Sequence, residues 1–376
     1  MDATAPTPQS TWFQRFLLPG LAFKAVVIGG GYATGRELAE FFLPSGPWGG
    51  LAAMVLSTVI FSGVCIVTFL FARKVGAQDY LTFFKSLLGP GWVLFEATYI
   101  LFIVLILAVY GAAAGSIAAA VFGVPEIFGV LALMAGIVVF VTFGNSSVEH
   151  LFEYVSYLLY GVYALFVVLA FTSFGDRIAD GFALDVPPTG WVLGGTVYAG
   201  YNIIGAVVIL PVLRHLTSSR DAVVAGLIAG PLAMIPALLF FICMVAFYPG
   251  IAGETLPSDF MLQRLNMPLF HLLFQVMIFS ALLESGASSV HAINERIAKA
   301  VLRRRGTVLS HRARLLIALV LLVGCMFLAT RFGLVALIAN GYRALAYVLL
   351  AVYVLPLMTY GIWRLRARHR KLQEAS

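Results

Sequence analysis

An all-α, polytopic membrane protein is predicted by three observations. Hydrophobic residues make up 61% of the chain and charged residues 11%, far from the balance of a soluble domain. Apolar runs longer than the roughly 20 residues needed to cross a bilayer recur along the whole sequence. The first of these runs is cut by Gly29, Gly30 and Gly31, with Gly35 shortly after. Glycine costs a helix about 1 kcal/mol relative to alanine, and in lipid a broken backbone persists only where it lines a cavity or packs on protein. Val26 to Glu37 therefore reads as a candidate binding site.

Composition also excludes. The first apolar run is too long and too glycine-broken for a cleaved signal peptide, and no A-x-A-like site follows it. The formal charge of +7 is confined to a few loops and the C-terminus, which argues against a nucleic-acid partner. Cys65, Cys243 and Cys325 lie inside apolar runs without metal spacing, so they read as packing residues. Neither a metal nor a cofactor is expected, and the partner implied by composition is the lipid bilayer.

In chain order, residues 1–14 read as a disordered, proline-containing tail. Ten apolar segments follow, approximately 16–42, 47–72, 91–122, 125–143, 147–173, 190–213, 220–247, 268–300, 312–330 and 333–363. Arg73-Lys74, Arg214-His215 and Arg303-Arg304-Arg305 end spans, whereas the boundary near Gly144-Asn145 is softer. With ten spans and the N-terminus inside, 18 of the 24 lysines and arginines fall on the cytoplasmic side and 4 on the other. This is a strong positive-inside signal. It places both termini on the cytoplasmic side, with the arginines from Arg364 to Lys371 as an anchor on anionic lipid and 366–376 as a basic cytoplasmic tail; a bacterial inner membrane is the expected location.

Internal repetition follows the same order twice. Span one is glycine-broken, span two is followed by a short amphipathic piece (Asp79 to Phe84), and three more spans complete residues 15–173. Span six is expected to break at Tyr198-Ala199-Gly200-Tyr201-Asn202, and a second amphipathic piece (Asp259 to Leu262) follows span seven within residues 190–365. An odd number of spans per half means that the halves have opposite orientation. Broken segments at corresponding positions of two inverted halves point to a transporter's substrate site.

The five-plus-five pattern, with spans one and six broken, resembles the LeuT fold of the amino acid–polyamine–organocation superfamily. Gly29-Gly30-Gly31-Tyr32-Ala33-Thr34-Gly35-Arg36-Glu37 and His291-Ala292-Ile293-Asn294-Glu295-Arg296-Ile297 more closely resemble the YkvI-type membrane proteins, a group without an assigned substrate. The resemblance covers nearly the whole chain.

Freed backbone N–H groups and a helix N-terminus at such a break suit an anionic group. In the resembling superfamily the glycine triplet of span one holds the substrate carboxylate, which maps onto Gly29, Gly30 and Gly31. Tyr32, Thr34, Tyr198, Tyr201 and Asn202 are the expected companions, although small residues could equally serve close packing of spans one and eight. Thr34-Gly35-Arg36-Glu37 fits a capping box, and Glu37 also suits a cation or proton site. Lys24 lies about one turn before the break, where a lysine needs a wet cavity, an acidic partner or a route to the headgroups. In sodium-coupled members of the superfamily this part of span one joins span eight around a sodium ion. An ammonium there implies proton coupling or none, with sodium less favoured.

Span eight supplies Glu284 as the expected partner of Lys24, with Ser288 or Ser289 as hydroxyl ligands; packing alone is the other reading of these small residues. Glu96 is a second protonation candidate or an interfacial group beside Trp92. Asn294, Glu295 and Arg296 read as a gate or anchoring network, Ser146 to Glu153 as a polar first turn of span five, and Asn340 and Arg343 as partners of acidic groups. No nucleophile–base pattern or phosphate loop is present, so an enzyme is not expected. A secondary transporter of a small zwitterionic or cationic solute fits best. A passive facilitator on the same fold, or a membrane sensor subunit, are the alternatives.

Overall fold

The computed structural model describes residues 10–28, 32–143 and 146–373. Among them every regular element is a helix, as a chain in lipid requires when its backbone groups must be satisfied within each segment. The first span enters through a short π-helical turn, Phe13–Leu17, and continues as α1, Leu18–Val27. Part of the expected tail is therefore ordered: Thr11 N–H donates to Gln14 Oε1 (2.9 Å) and Gln14 N–H to Thr11 Oγ1 (3.3 Å), closing the first turn.

Ile28 leaves helical geometry at φ −88°, ψ 72°. Helix resumes at a 3-10 turn, Tyr32–Thr34, and then α2, Arg36–Phe41. Gly35 stands between them at φ 77°, a left-handed conformation that only glycine adopts without strain. A side chain there would also meet Phe240, 2.6 Å from the Cβ position. The first span is thus two short helices around a break, as expected. The glycine triplet itself, residues 29–31, lies outside the described residues.

Next come α3 (Gly46–Val75), the short α4 (Tyr80–Leu88), α5 (Trp92–Phe122), α6 (Glu126–Phe143) and α7 (Ser146–Ala183). The second half runs through α8 (Trp191–Asn202), α9 (Gly205–Val208), a 3-10 segment at Leu210–His215, α10 (Ser219–Val245), α11 (Pro257–Leu265), α12 (Pro268–Arg305) and α13 (His311–Ala336). The last span alternates π-helical turns with α14 (Arg343–Leu349) and α15 (Ile362–Gln373). The two amphipathic pieces expected from sequence are α4 and α11. Asp79 caps α4 by accepting from Thr82 N–H at 2.9 Å.

Among the described residues, seven stretches are long and apolar enough to cross a membrane unaided, against ten expected segments. The difference has a physical origin. Span one is split by its break, α6 is short, and the ninth and tenth segments run together through Gly333, whose φ of 73° and ψ of 170° kink the path where two spans were expected to meet. The soft boundary at Gly144-Asn145 and the polar side chains from Ser146 to Glu153 lie outside the described set.

Lipid removes most of the hydrophobic drive between helices, so close backbone approach at small residues holds such bundles together. α3 and α10 illustrate this. A Cβ on Gly230 would lie 2.4 Å from Thr58 O, and one on Gly226 would lie 2.6 Å from Ile66 N. Ser62 Oγ then donates to Leu227 O at 2.9 Å.

Span six departs from the sequence reading. The expected break at Tyr198–Asn202 is continuous helix, and the interruption follows it as a lapse of the i,i+4 ladder into i,i+3 bonds at Ile203 and Ile204, which keep right-handed helical dihedrals. The glycines that suggested unwinding are used for packing instead. A Cβ on Gly194 would stand 2.1 Å from Phe41 O, and one on Gly195 would stand 2.5 Å from Ala53 O. Ser57 Oγ, donating to Gly195 O at 2.8 Å, locks α3 to α8.

Candidate functional site

The two interruptions meet. At the start of α2, Glu37 projects its carboxylate toward the C-terminal turn of α8, where the Tyr201 hydroxyl donates to Glu37 Oε2. Sequence suggested a capping box here, and the structure replaces it. Gly35 is the N-cap of α2 without a side-chain cap, Thr34 Oγ1 accepts from Arg36 N–H at 3.2 Å, and one Glu37 oxygen is taken by Tyr201. Thr34 is buried beside the cavity but does not line it.

The cavity at this meeting point has a free volume of about 20 Å³, enough for about one water. Val26, Val27, Tyr32 and Glu37 line it from span one, and Tyr201, Asn202 and Ile204 from span six. Span three adds Phe102, Ile106 and Tyr110, and span ten adds Tyr342. Glu37 is 5% exposed and forms no ion pair among the described residues. Tyr32, Tyr110, Tyr198 and Tyr342 lie within electrostatic range of its carboxylate, in addition to Tyr201.

Each ring has a defined support. Tyr201 and Tyr342 pack with centroids 4.5 Å apart, Tyr342 ending the π-helical stretch Leu337–Tyr342 that widens the tenth span. Such π turns often occur at functional positions. Tyr32 Oη lies 3.5 Å from Tyr163 Oη, which donates to Pro236 O at 3.0 Å. Tyr198 sits behind the cavity, its ring 4.7 Å from Phe42 and 5.7 Å from Tyr201, and its buried hydroxyl has no hydrogen-bond partner among the described residues. Asn202, which lines the cavity, donates from Nδ2 to Tyr198 O at 3.1 Å. Tyr110 and Tyr342 were not among the sequence candidates. The polar interruption Asn340-Gly341-Tyr342-Arg343 in an apolar run was the available signal for Tyr342; an isolated tyrosine in the alanine-rich third span gave none.

The proposed ion-coupling residues do not gather at one point. Lys24 and Glu284 form no ion pair; the Lys24 ammonium stands 4.1 Å from the centroid of the Tyr160 ring, and Glu284 lies within electrostatic range of the same tyrosine. Lys24 is half-buried and Tyr160 is 44% exposed, so the lysine rests on an aromatic face instead of a carboxylate. Ser288 is exposed, and Ser289 Oγ donates to Ser285 O of its own helix at 2.8 Å. Glu96 lies near the start of the third span, away from the cavity, where Arg296 Nη1 donates to it at 3.2 Å.

On either side of the cavity the chain closes differently. Toward α11, Arg36 Nη1 donates to Ala252 O (2.9 Å) and Glu254 O (2.8 Å), and its Nη2 donates to Glu40 at 2.7 Å. Arg343 reaches Glu40 from the tenth span at 3.6 Å, so one of the two polar residues expected to seek an acid there finds it. Toward α4, a vestibule of about 730 Å³ opens between Tyr80, Glu96, Tyr99, Val208, Glu295 and Arg296, among others. The Arg296 guanidinium lies 3.5 Å from the Tyr99 centroid and 3.9 Å from that of Tyr80. At the rim of the same end Arg15 holds Asp221 through two bonds of 2.9 and 2.8 Å.

Two interrupted spans meeting at a buried cavity, with a vestibule on one side, are the architecture of the LeuT fold, and the comparisons agree on the fold. The structure of MhsT in complex with L-phenylalanine aligns with TM-score 0.54 and 16% identity over 96% of this chain and 99% of that one. A Na+-coupled sialic acid symporter aligns with TM-score 0.60 and 15% identity over 92% and 82% of the two chains. The Eremococcus coleocola manganese transporter aligns with TM-score 0.54 and 14% identity over 94% and 81%. In sequence, the chain is similar to the uncharacterized membrane protein YkvI of Bacillus subtilis (strain 168), 21% identical over 335 residues, 88% of this chain and 92% of that protein. No protein-family profile matches the chain.

Proposed function

We propose that this protein is a secondary active transporter that carries a small organic solute, an amino acid or an amine, by alternating access around Glu37, Tyr201 and the two interrupted spans. The observation that carries the reading is the buried Glu37–Tyr201 contact joining the breaks, flanked by a sealed end and a vestibule. Substrate contacts come from Tyr32, Tyr201 and Asn202, with Thr34 and Tyr198 supporting from behind; Gly29, Gly30 and Gly31, the other expected contacts, lie outside the described residues. The halves 15–173 and 190–365 act as inverted repeats, and the α4 end, rich in arginine and lysine, faces the cytoplasm of a bacterial inner membrane.

Coupling is to protons or to no ion. Lys24 places an ammonium group on span one, beside Tyr160 of span five, and while it is charged a second cation is disfavoured there by like-charge repulsion. Glu37 and Glu284 are the candidates for carrying a proton. Purified protein in liposomes tests this: substrate accumulates against its gradient, and replacing sodium with choline changes the initial rate less than twofold. Abolition by sodium removal overturns the coupling reading, and flux without accumulation identifies a passive facilitator instead.

A further inference from the structure

Which class of solute the site selects is written in its lining. Around the cavity stand a carboxylate, four tyrosine rings and one carboxamide, with apolar side chains between them; no lysine, arginine or histidine is among the described residues that line it. Glu37 is almost fully buried and has no cationic partner among the described residues. The nearest candidate in sequence, Arg36, is turned away onto Ala252 O, Glu254 O and Glu40. A buried carboxylate is costly unless a positive charge or a proton meets it. One oxygen is already satisfied by Tyr201, which fixes the group's orientation and leaves the other for a visitor.

Tyrosine rings attract cations through their faces, and Tyr32, Tyr110, Tyr201 and Tyr342 approach Glu37 from four different spans. A carboxylate inside an aromatic enclosure is a recognition device for an ammonium group. Resting on the transport reading for the location of the site, we infer that the solute is a small organic amine carried as a cation, with Glu37 as its counter-ion and Tyr201 and Tyr342 as the rings that cover it. An anionic solute would face Glu37 with no compensating side-chain cation. A zwitterion's carboxylate has no described side-chain cation to meet it and is left to backbone N–H groups at the break, a weaker compensation than a cation gives. The Asn202 carbonyl oxygen adds an acceptor for a remaining N–H of the amine.

Matched pairs that differ by one carboxylate give the test: phenethylamine against L-phenylalanine, cadaverine against L-lysine, with phenylpropionate as the anion. Binding to purified protein is read by thermal shift and by isothermal calorimetry. In at least one pair the amine binds at least tenfold more tightly than its parent amino acid, and phenylpropionate does not bind. Glu37→Gln, nearly isosteric, weakens the amine at least tenfold. Tyr342→Leu weakens it several-fold while Tyr342→Phe retains it, which separates ring from hydroxyl and serves if the Glu37 variant does not fold.

Preferential binding of the amino acids, equal affinity in Glu37→Gln, or absence of binding by every amine overturns the inference. The two proposals fail separately. Amine binding without accumulation in liposomes removes the transporter and keeps the cation site, whereas accumulation of an amino acid with no amine binding does the reverse.

Discussion

Arg36 and Arg296 stand on opposite sides of the same cavity, and they are held by different means. Arg36 is 5% exposed and donates to two backbone carbonyls and a carboxylate. Arg296 borders a vestibule of about 730 Å³, with one carboxylate contact and two tyrosine faces. Directional, desolvated bonds release together once the loop carrying Ala252 and Glu254 moves. A stacked guanidinium in a wet cleft can slide from face to face at small cost. The contrast describes a molecule shut firmly at its α11 end and latched loosely at its α4 end.

Breaking the firm side gives the largest expected effect. Arg36→Ala removes three donated bonds and leaves Glu40 with the more distant Arg343 alone, a loss of about 3–5 kcal/mol by the usual cost of stripping one partner from a buried pair. Thermal unfolding of the purified protein checks it; a change below about 1 kcal/mol would show that apolar packing of α11 closes this end instead.

Gly194→Ala comes next. The new methyl would sit 2.1 Å from Phe41 O, forcing α2 and α8 apart at a cost of about 1–3 kcal/mol. The displacement should also weaken the Glu37–Tyr201 contact, visible as slower uptake beyond what the lower stability explains.

At the loose side, Arg296→Ala costs about 1–2 kcal/mol, the range for a cation–π contact of a largely buried guanidinium. A cysteine placed at Val208, which lines the vestibule, should then react severalfold faster with a water-soluble thiol reagent. Unchanged labelling would mean that Arg296 is not part of the closure. Smallest is Gly324→Ala: nothing lies within 4 Å of its Cβ position, so the helix gains up to about 1 kcal/mol of propensity. Opposite signs at Gly194 and Gly324 would confirm that this fold uses its glycines in two ways.

That double use explains where sequence reading succeeded and where it failed. The break in span one was legible from its glycines; of these Gly35 is described and takes a left-handed conformation, and Ile28 leaves the helix before it. In span six the same residue type misled. Gly194 and Gly195 admit neighbouring backbones, and the true interruption falls on Ile203 and Ile204, two isoleucines that announce nothing. Glu37 was marked by its position after the break, while its contact with Tyr201 was not. The Lys24–Glu284 pair was a sound inference from cost, but a tyrosine face met the lysine first.

By itself the sequence determined the all-helical membrane architecture, the discontinuity of the first span and the two short amphipathic helices. These follow from hydropathy, glycine conformation and capping, which act over a few neighbouring residues. Only the tertiary structure decided that Glu37 and Tyr201, 164 positions apart, share a hydrogen bond, and that tyrosines from four spans enclose them. The reason is that burial and charge compensation depend on which helices touch, and in a chain with apolar faces nearly everywhere the local pattern does not choose among them.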